Sequence, residues 1–370
     1  MASESTAPTR KVVINGRFLG QPVTGVQRFA EEVTAALLAI ADFPVEILVP
    51  QGVRPRSDGP LAGHDVVEIG RTQGHLWEQV DLPLYLKRHG TPLLIGLSST
   101  APAFYRNQFA PHHDVTYVRF PESFSWKFRL VYGILAPLFL KNARRVITVS
   151  EFSKSEIADH FGLPKEKIVV IPNAPSAFFF EHRTEPLADP GAEKPYFLAV
   201  SSPNVHKNFE RLEQAFMDFI DGSGSEVELR IIGQQANTFA ARESRSTANI
   251  RYLGRVSDSE LAQAYAGALA FVFPSLYEGF GIPPLEAQAA GAPVIASNAA
   301  SIPEVLGDSA LYFDPLDVDG MSELMRSSAA DESLRNKLRL DGADNASKYS
   351  WSASARKLSK AIQDVLPIVA

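Results

Sequence analysis

The part of the sequence that most constrains the fold is an apolar run followed by a glycine loop and a proline-marked helix start. Residues Ala268–Pro274 are mostly apolar and end in proline, which is typical of a short, buried parallel strand. Gly279 and Gly281 then allow the backbone to approach a ligand closely. Because proline is tolerated in a helix only near its start, Pro283 and Pro284 predict that a helix begins there.

This arrangement favours a ligand that carries phosphates flanked by hydroxyl groups. A helix N-terminus after glycines offers unpaired N–H groups and the positive end of the helix dipole. Glu278 precedes the glycines, and Glu286 is predicted in the first helical turn. Because carboxylates repel phosphates, both are expected to face hydroxyl groups, as a nucleotide sugar would provide. The alternative is that Glu286 complements the helix dipole and Glu278 is a solvated loop residue.

The nine residues from Glu278 to Glu286, EGFGIPPLE, resemble the E-x7-E signature of the retaining glycosyltransferases of family four, which have the GT-B fold. The resemblance implies that Glu278 lies beside the donor sugar as a catalytic residue and that Glu286 binds the ribose hydroxyls. The loop between them is expected to contact the donor nucleotide; it consists of Gly279, Phe280, Gly281 and Ile282.

The first part of the chain alternates strand and helix patterns, which predicts a parallel α/β domain. A strand at Lys11–Asn15 is followed by a Gly/Pro loop and a helix at Val26–Ile40. The loop lacks G-x-G-x-x-G spacing, which counts against a dinucleotide oxidoreductase. The family resemblance implies that Gly25 lies near the donor phosphate and the acceptor. Arg28 either reaches a phosphate or is an exposed helix arginine.

Two adjacent histidines, His112 and His113, raise the question of a metal site. Neighbouring residues on a strand point to opposite faces, and no carboxylate or histidine stands at ligand spacing from them. No metal site is therefore predicted. The resemblance implies a histidine at a strand end beside the donor sugar, with His113 as the best match and His112 as the second. The alternative is a structural histidine at a strand end.

Residues 119–145 combine aromatic and basic side chains at helical spacing. One interpretation is an interfacial helix that contacts lipid or a lipid-linked acceptor. The other is a buried helix with charged flanks, which is favoured because any domain of this size needs such helices. The side chains concerned are Phe120, Phe124, Trp126, Phe128 and Tyr132, with Lys127, Arg129, Lys141, Arg144 and Arg145.

A second domain is predicted after a linker rich in proline, glycine and charge, Glu181–Lys194. It opens with a strand at Tyr196–Val200 and a loop in which the family places a basic pair on the donor diphosphate. Lys207 matches the lysine of that pair, and Ser202 stands where the arginine usually is. Lys207, assisted by backbone N–H groups, is therefore expected to stabilise the leaving diphosphate.

Composition excludes several classes of protein. The net charge of -6 argues against a nucleic-acid binder. The absence of cysteine excludes disulfides, thiolate zinc sites and thiol nucleophiles, and it fits a reducing compartment. The N-terminal residues lack the apolar segment of a signal peptide, and the longest apolar run, Leu130–Leu140, is too short to span a bilayer. A cytoplasmic location is expected, with peripheral contact at the inner face of the cell membrane.

The 370 residues are enough for two domains, and the resemblance implies the GT-B arrangement of two Rossmann-like parallel-sheet domains facing a central cleft. Residues 10–180 are expected to bind the acceptor, residues 195–350 the nucleotide sugar, and the helix in 351–370 is expected to cross back to the first domain.

The expected reaction is metal-independent, retaining transfer of a sugar from GDP-mannose, or next a UDP-sugar, to a hydroxyl of a glycan or lipid-linked acceptor in the synthesis of surface polysaccharide such as lipopolysaccharide. A front-face mechanism is implied, in which the departing phosphate helps to deprotonate the acceptor. Two alternatives stay open: a nucleotide-sugar epimerase on the same fold, and a non-catalytic nucleotide-sugar-binding subunit of a polysaccharide assembly complex.

Overall fold

A computed structural model of the chain describes residues 11–183, 194–200, 204–223, 226–233 and 249–366. Ser202 and most of the expected linker lie outside these ranges. Contacts between Cα atoms divide the chain into two compact units. The first unit contains the described residues up to Val115, Ser125–Asn173, and the residues from Ser350 onward. The second unit contains Thr116–Phe124 and the described residues of Ala174–Tyr349.

Each unit is built on one sheet in which all neighbouring strands are parallel. The described strands of the first unit are β1 (Val12–Asn15), β2 (Val45–Pro50), β3 (Val67–Ile69), β4 (Leu93–Ile95), β5 (Gln108–Pro111), β6 (Arg145–Thr148) and β7 (Ile168–Val170). Those of the second unit are β8 (Tyr196–Val200), β9 (Glu228–Ile232), β10 (Ile250–Gly254), β11 (Ala270–Phe273), β12 (Val294–Ser297) and β13 (Leu311–Phe313).

The strand order determines where each sheet can hold a ligand. The first sheet runs β3-β2-β1-β4-β5-β6-β7, and the second runs β10-β9-β8-β11-β12-β13. The order therefore reverses between β1 and β4 in the first sheet and between β8 and β11 in the second. In open parallel sheets, ligands bind beyond the carboxyl ends of the strands at such switch points. The predicted pair of Rossmann-like parallel sheets is confirmed.

Helices connect the strands, and α1 begins one residue before the predicted helix Val26–Ile40. They are α1 (Gly25–Ile40), α2 (Gly74–Leu76), a π-helical segment (Trp77–Asp81), α3 (Leu82–Arg88), α4 (Thr116–Arg119), α5 (Trp126–Asn142), α6 (Glu151–Phe161), α7 (Ala177–Glu181), α8 (Phe209–Ser223), α9 (Asp258–Ala266), α10 (Ile282–Ala289), α11 (Ile302–Leu306), α12 (Val318–Ala330), α13 (Glu332–Ser347) and α14 (Trp351–Gln363). In the part of the chain that the structure describes, every helix is too short or too polar to cross a bilayer.

The last helix, α14, packs within the first unit although the second unit precedes it in the chain. The Trp351 ring lies 6.1 Å from the ring of Phe29 on α1, and Ser354 Oγ donates a hydrogen bond of 2.6 Å to the carbonyl of Pro172. The apolar stripe of α14 is thus buried in that unit, where Ala355, Leu358 and Ile362 are fully buried.

The segment Thr116–Phe124 groups with the second unit, although the sequence places it inside the first predicted domain. Its contacts with His206 give the physical reason. The rings of Phe120 and Phe124 lie 6.0 and 6.5 Å from the His206 ring, and Ser123 Oγ is 3.0 Å from His206 Nδ1. Aromatic packing therefore makes Thr116–Phe124 part of the second unit, although it lies between two stretches of the first unit in the sequence.

Candidate active site

Helix α10 begins where the two prolines predict, and the residue before it has the backbone that only glycine adopts easily. Gly281 is the N-cap residue, with φ of 91°. Pro283 and Pro284 lie in the first turn and have no N–H group, so two of the donors that a helix start leaves unpaired are missing. With fewer backbone N–H donors at this helix start, binding of a diphosphate here would require a cationic side chain.

Glu286 lies just past the first turn of the helix, whereas the sequence placed it in that turn. No acidic residue occupies the first turn of α10, and Glu286 stands one turn after Ile282. Because helical side chains tilt towards the N-terminus, Glu286 is directed back over the first turn. All residues from Pro284 to Ala289 are buried, and Gln288 donates a hydrogen bond to Ser309 Oγ and accepts one from Asn345. Glu286 is 200° away around the helix from Gln288 at 100° per residue, roughly on the opposite side.

Lys207 and Glu278, which the sequence analysis assigned to separate tasks, form an ion pair. Lys207 Nζ donates to Glu278 Oε1 over 2.6 Å, and the two side chains are 16% and 14% exposed. Lys207 follows β8 and Glu278 follows β11, so the pair spans the switch point of the second sheet. Across the described residues, Glu278 Oε2 receives no hydrogen bond and is left to accept one from a ligand hydroxyl.

Asn208, which sequence reasoning missed, fixes the turn that carries Lys207. It has a positive φ of 59°, which asparagine tolerates better than most residues. Its Nδ2 donates to the carbonyl of Pro274 over 3.0 Å and to that of Pro315 over 2.7 Å. Because Pro274 ends the strand run before Glu278, Asn208 holds the two loops of the ion pair at a set distance. An asparagine directly after the lysine is the only sequence signal for this role.

The loop that carries Glu278 is held from two further sides. Ser301 Oγ donates to the carbonyl of Glu278 over 2.9 Å, and Ser297 Oγ donates to the carbonyl of Ser275 over 2.7 Å. The Phe280 ring packs edge-on against Tyr349 at 5.7 Å. Hydrogen bonds from two serine side chains to backbone carbonyls, together with a buried aromatic contact, therefore preorganise the loop before any ligand is present.

In the first unit, His113 is held in one tautomer at the carboxyl edge of the sheet. Its Nε2 lies 3.1 and 3.0 Å from the carbonyl oxygens of Leu97 and Ser98. Because carbonyl oxygens only accept hydrogen bonds, Nε2 carries the proton and Nδ1 is an acceptor. Burial lowers the pKa of His113 and keeps the ring neutral. A neutral imidazole with an acceptor nitrogen suits a sugar hydroxyl.

The second histidine has a different environment. His112 is buried, its ring packs edge-on against Phe161 at 5.2 Å, and burial lowers its pKa to about 3. His113 instead packs against Phe29 at 5.0 Å. The two rings thus point to different sides, as the sequence predicts, and His113 is the better candidate for binding a ligand.

Gly25 is exposed and is the first residue of α1, whose N-cap, Thr24, forms a capping box with Gln27. Arg28 follows in the first turn and is half-buried. The residues predicted from the sequence therefore fall into two sets, with Gly25 and His113 in the first unit and the Lys207–Glu278 pair in the second.

A buried polar network in the first unit escaped the sequence analysis. Glu78 is fully buried and accepts hydrogen bonds from Asn15 at 2.8 Å, Arg17 at 3.2 Å and Thr100 at 2.5 Å. Burial raises the pKa of Glu78, but His75, Arg17 and the hydrogen bonds outweigh it, so its pKa lies below the usual range and it stays ionised. The available sequence signals were an arginine two residues after β1 and a glutamate in the largely apolar residues 76–86.

Family models match both halves of the chain. Residues 23–174 match "Glycosyltransferase Family 4", and residues 185–344 match "Glycosyl transferases group 1". The chain belongs to the family-four glycosyltransferases. The E-x7-E resemblance at Glu278–Glu286 falls within the second match.

Two curated relatives carry related names. The chain is 36% identical over 226 residues to O-antigen chain mannosyltransferase B of Escherichia coli, a match covering 57% of this chain and 58% of that protein. It is 29% identical over 325 residues to O-antigen chain mannosyltransferase RfbU of Salmonella typhimurium, covering 83% and 87%. The match thus spans a little over half the length of the first relative.

Solved structures agree on the GT-B fold. Sucrose-phosphate synthase from Thermosynechococcus elongatus superposes with a TM-score of 0.72 at 18% identity, covering 96% of this chain and 98% of that one. WaaG, described as a glycosyltransferase involved in lipopolysaccharide biosynthesis, superposes with a TM-score of 0.70 at 15% identity, covering 95% and 99%. At these identities the likeness concerns the fold alone.

Proposed function

We propose that this chain transfers a mannosyl residue from GDP-mannose to a hydroxyl of a glycan or lipid-linked acceptor in surface polysaccharide synthesis, with retention of the anomeric configuration. A UDP-sugar is the next candidate donor. The observation that carries the proposal is the Lys207–Glu278 pair at the switch point of the second sheet. The names of the two O-antigen mannosyltransferases support mannose as the sugar.

Each residue then has a defined task. Lys207 balances the negative charge that grows on the diphosphate as the glycosidic bond breaks. Glu278 accepts a hydrogen bond from a hydroxyl of the donor sugar, and Glu286 accepts hydrogen bonds from the ribose. His113 offers Nδ1 to a sugar hydroxyl. The acceptor oxygen bonds to the anomeric carbon on the face that the diphosphate leaves, and its proton passes to a departing phosphate oxygen.

Product analysis tests the proposal against the two other functions. GDP-mannose and a set of UDP-sugars are first ranked by the rise in melting temperature they cause, since a ligand that binds the folded state stabilises it. The selected donor is then incubated with an acceptor, and the products are identified by NMR. We expect an α-linked product and free GDP. A changed sugar still attached to the nucleotide would identify an epimerase, and binding without turnover would identify a non-catalytic subunit.

Chelation of metals is expected to leave the activity unchanged. Across the described ranges, no three His, Asp or Glu side chains lie close enough together to hold a metal ion. The proposed reaction relies instead on Lys207 to balance the charge of the leaving diphosphate. Turnover is measured with excess EDTA and after adding back Mg²⁺ or Mn²⁺. A loss on chelation that either ion restores would contradict the proposal.

We also propose that α5 holds the protein against an anionic lipid surface. Trp126, Leu130 and Ile134 are 64%, 55% and 57% exposed, and Leu138 continues this row at a spacing of four residues. The sequence favoured a buried helix, but only the opposite face of α5 is buried. An exposed apolar row of this length is typical of an interaction surface.

The charges around α5 favour an anionic membrane as the partner. Residues 123–150 contain no Asp or Glu but include five basic residues. Each basic residue near an anionic surface contributes about 1 kcal/mol of attraction. Two of the five are partly engaged, since Arg144 donates to the carbonyl of Val365 and Arg145 to that of Glu166. The better positions for substitutions that test membrane binding are the three exposed basic residues, Lys127, Arg129 and Lys141.

Binding to vesicles of phosphatidylglycerol and phosphatidylcholine is expected to be strong at low salt and to weaken as salt screens the charges. Arg129→Gln with Lys141→Gln should reduce the affinity about 30-fold, and Leu130→Ser with Ile134→Ser should reduce it at all salt concentrations. Co-sedimentation measures both effects.

Matched controls come from surfaces far along the chain from α5. Arg356→Gln with Lys357→Gln removes two exposed charges from α14, and Leu340→Ser removes an exposed leucine from α13. We expect these variants to bind vesicles like the parent. If the parent does not bind anionic vesicles at low salt, the membrane proposal is wrong.

A further inference from the structure

A cavity of about 300 Å³ lies in the first unit. Arg17 follows β1 and Ser99 follows β4, so the cavity is at the switch point of the first sheet. The loop after β1 and helix α5 form much of its wall. The lining residues that matter here are Arg17, His75, Ser99, Lys127, Phe128 and Tyr132.

Arg17 is positioned to donate hydrogen bonds to an anion in this cavity. Its side chain is only 5% exposed. Nε donates to Glu78 and Nη2 donates to Thr100, and within the described residues Nη1 makes no hydrogen bond. Because a guanidinium carries five N–H donors in a planar fork, donors remain for a ligand. Glu78 and Thr100 hold the group in place, so little conformational entropy is lost when an anion binds.

The charge of the cavity favours an anion. Glu78 offsets the charge of Arg17, and Lys127 adds a further positive charge from the first turn of α5. No acidic residue is among those that line the cavity in the described chain. Lys127 is exposed, and its Nζ lies 5.8 Å from the centroid of the Trp126 ring. The lysine is therefore placed to swing onto a ligand without breaking an ion pair.

Aromatic rings form the side of the cavity next to the apolar row of α5. Phe128 and Tyr132 stack with centroids 4.1 Å apart, and Tyr132 donates its hydroxyl to the carbonyl of Ser99 over 3.0 Å. Val131 lines the same cavity and is 37% exposed, beside Leu130 of the apolar row. The cavity thus joins a positive end to an apolar surface on one helix.

We propose that this cavity binds the phosphoryl group of a phosphate ester and that the acceptor of the proposed transfer carries such a group. The second half of this statement rests on the proposed function; the first half does not. Arg17 holds the phosphate oxygens with the donors left on its guanidinium, Lys127 closes over them, and any apolar chain of the ester lies along α5.

Calorimetric titration with hexyl phosphate tests the site directly. Saturating GDP is present throughout, so that the anion site expected in the second unit is occupied. We expect Lys127→Ala to weaken binding about tenfold or more, the effect of one charge-assisted hydrogen bond, and Lys127→Arg to retain most of it. Lys141→Ala removes an exposed lysine from the last turn of the same helix and should bind like the parent.

Other ligands distinguish the source of the phosphate. Tighter binding of hexyl phosphate than of mannose 1-phosphate would identify an ester with an apolar chain, and equal binding would identify a soluble phosphate ester. Hexyl glucoside, which has the chain but no charge, should bind weakly. Arg17→Gln is not used, because it would leave the buried Glu78 without its cation and destabilise the fold.

Three results would overturn the proposal: hexyl phosphate does not bind, Lys127→Ala binds it like the parent, or Lys141→Ala weakens it as much as Lys127→Ala. Failure of the transfer assay with hexyl phosphate still bound at Lys127 would instead count against the proposed function and leave the anion site intact.

Discussion

Replacing Glu278 by glutamine is expected to abolish most of the turnover while GDP binds as tightly as to the parent, or more tightly. Glutamine has the same shape but no charge, so the hydrogen bond to the donor sugar weakens. Loss of a hydrogen bond to a charged group costs about 1.5–3 kcal/mol. When the lost interaction is one that strengthens in the transition state, turnover falls on the order of 100-fold. Because the variant also removes the carboxylate that pairs with Lys207, more of the lysine's charge becomes available to the diphosphate.

Glu286→Gln is the matched comparison, since it changes the other carboxylate of the same loop and helix. We expect it to weaken GDP and GDP-mannose together, by about 1.5–3 kcal/mol, because both ligands carry the ribose. Dipole complementation is a poor alternative here, because the effect fades beyond the first turn and Glu286 lies past it. Calorimetry with both ligands, alongside turnover, separates the two roles. If both variants bind and turn over like the parent, the donor site is elsewhere.

The local geometry of this loop could be predicted because particular residues dictate it. Gly281 permits a positive φ, and the two prolines are compatible only with a helix start, so strand, loop and helix follow in order. The alternating patterns likewise predicted parallel α/β units. Glu286 falls just past the first turn rather than within it because the helix begins at Ile282, one residue before Pro283, and a helix start cannot be placed from sequence to within a residue or two.

Contacts between distant residues could not be predicted in the same way. Lys207 and Glu278 are 71 residues apart, and their pairing depends on β8 and β11 lying side by side. The attachment of Thr116–Phe124 to the second unit depends on aromatic contacts with His206, which leave no local pattern in the chain.

The exposed face of helix α5 could not be predicted for a different reason. Between Leu130 and Leu140 it is apolar around its whole circumference, with Phe139 and Leu140 buried on one side and Leu130 and Ile134 exposed on the other. A helix that is apolar on all sides is ordinarily a buried one. Only the three-dimensional structure shows that, among the described residues, Leu130 and Ile134 are exposed.

Replacing Lys207 by alanine is expected to reduce both GDP affinity and turnover, with a loss of transition-state stabilisation of about 2–4 kcal/mol. Two effects act together. The positive charge opposite the diphosphate is removed, and the Glu278 carboxylate, now without its partner, repels the phosphates. GDP should therefore bind less tightly to Lys207→Ala than to Glu278→Gln, although each variant breaks the same ion pair.

The double variant decides whether the pair acts on the nucleotide or only on the fold. If Lys207 serves the diphosphate, Lys207→Ala with Glu278→Gln should bind GDP more tightly than Lys207→Ala alone, because the repelling carboxylate is gone, and turnover should stay low. If the pair were purely structural, breaking it would instead lower the free energy of unfolding and leave the GDP affinity of the folded protein unchanged. Lys154→Ala, which breaks the Lys154–Glu151 pair in the first unit, controls for the loss of a lysine from an ion pair. Calorimetry and urea unfolding of all four variants give the coupling between the two residues. Parent-like turnover in a folded Lys207→Ala variant would reject the role of this lysine and, with it, the main support for donor binding at the second switch point.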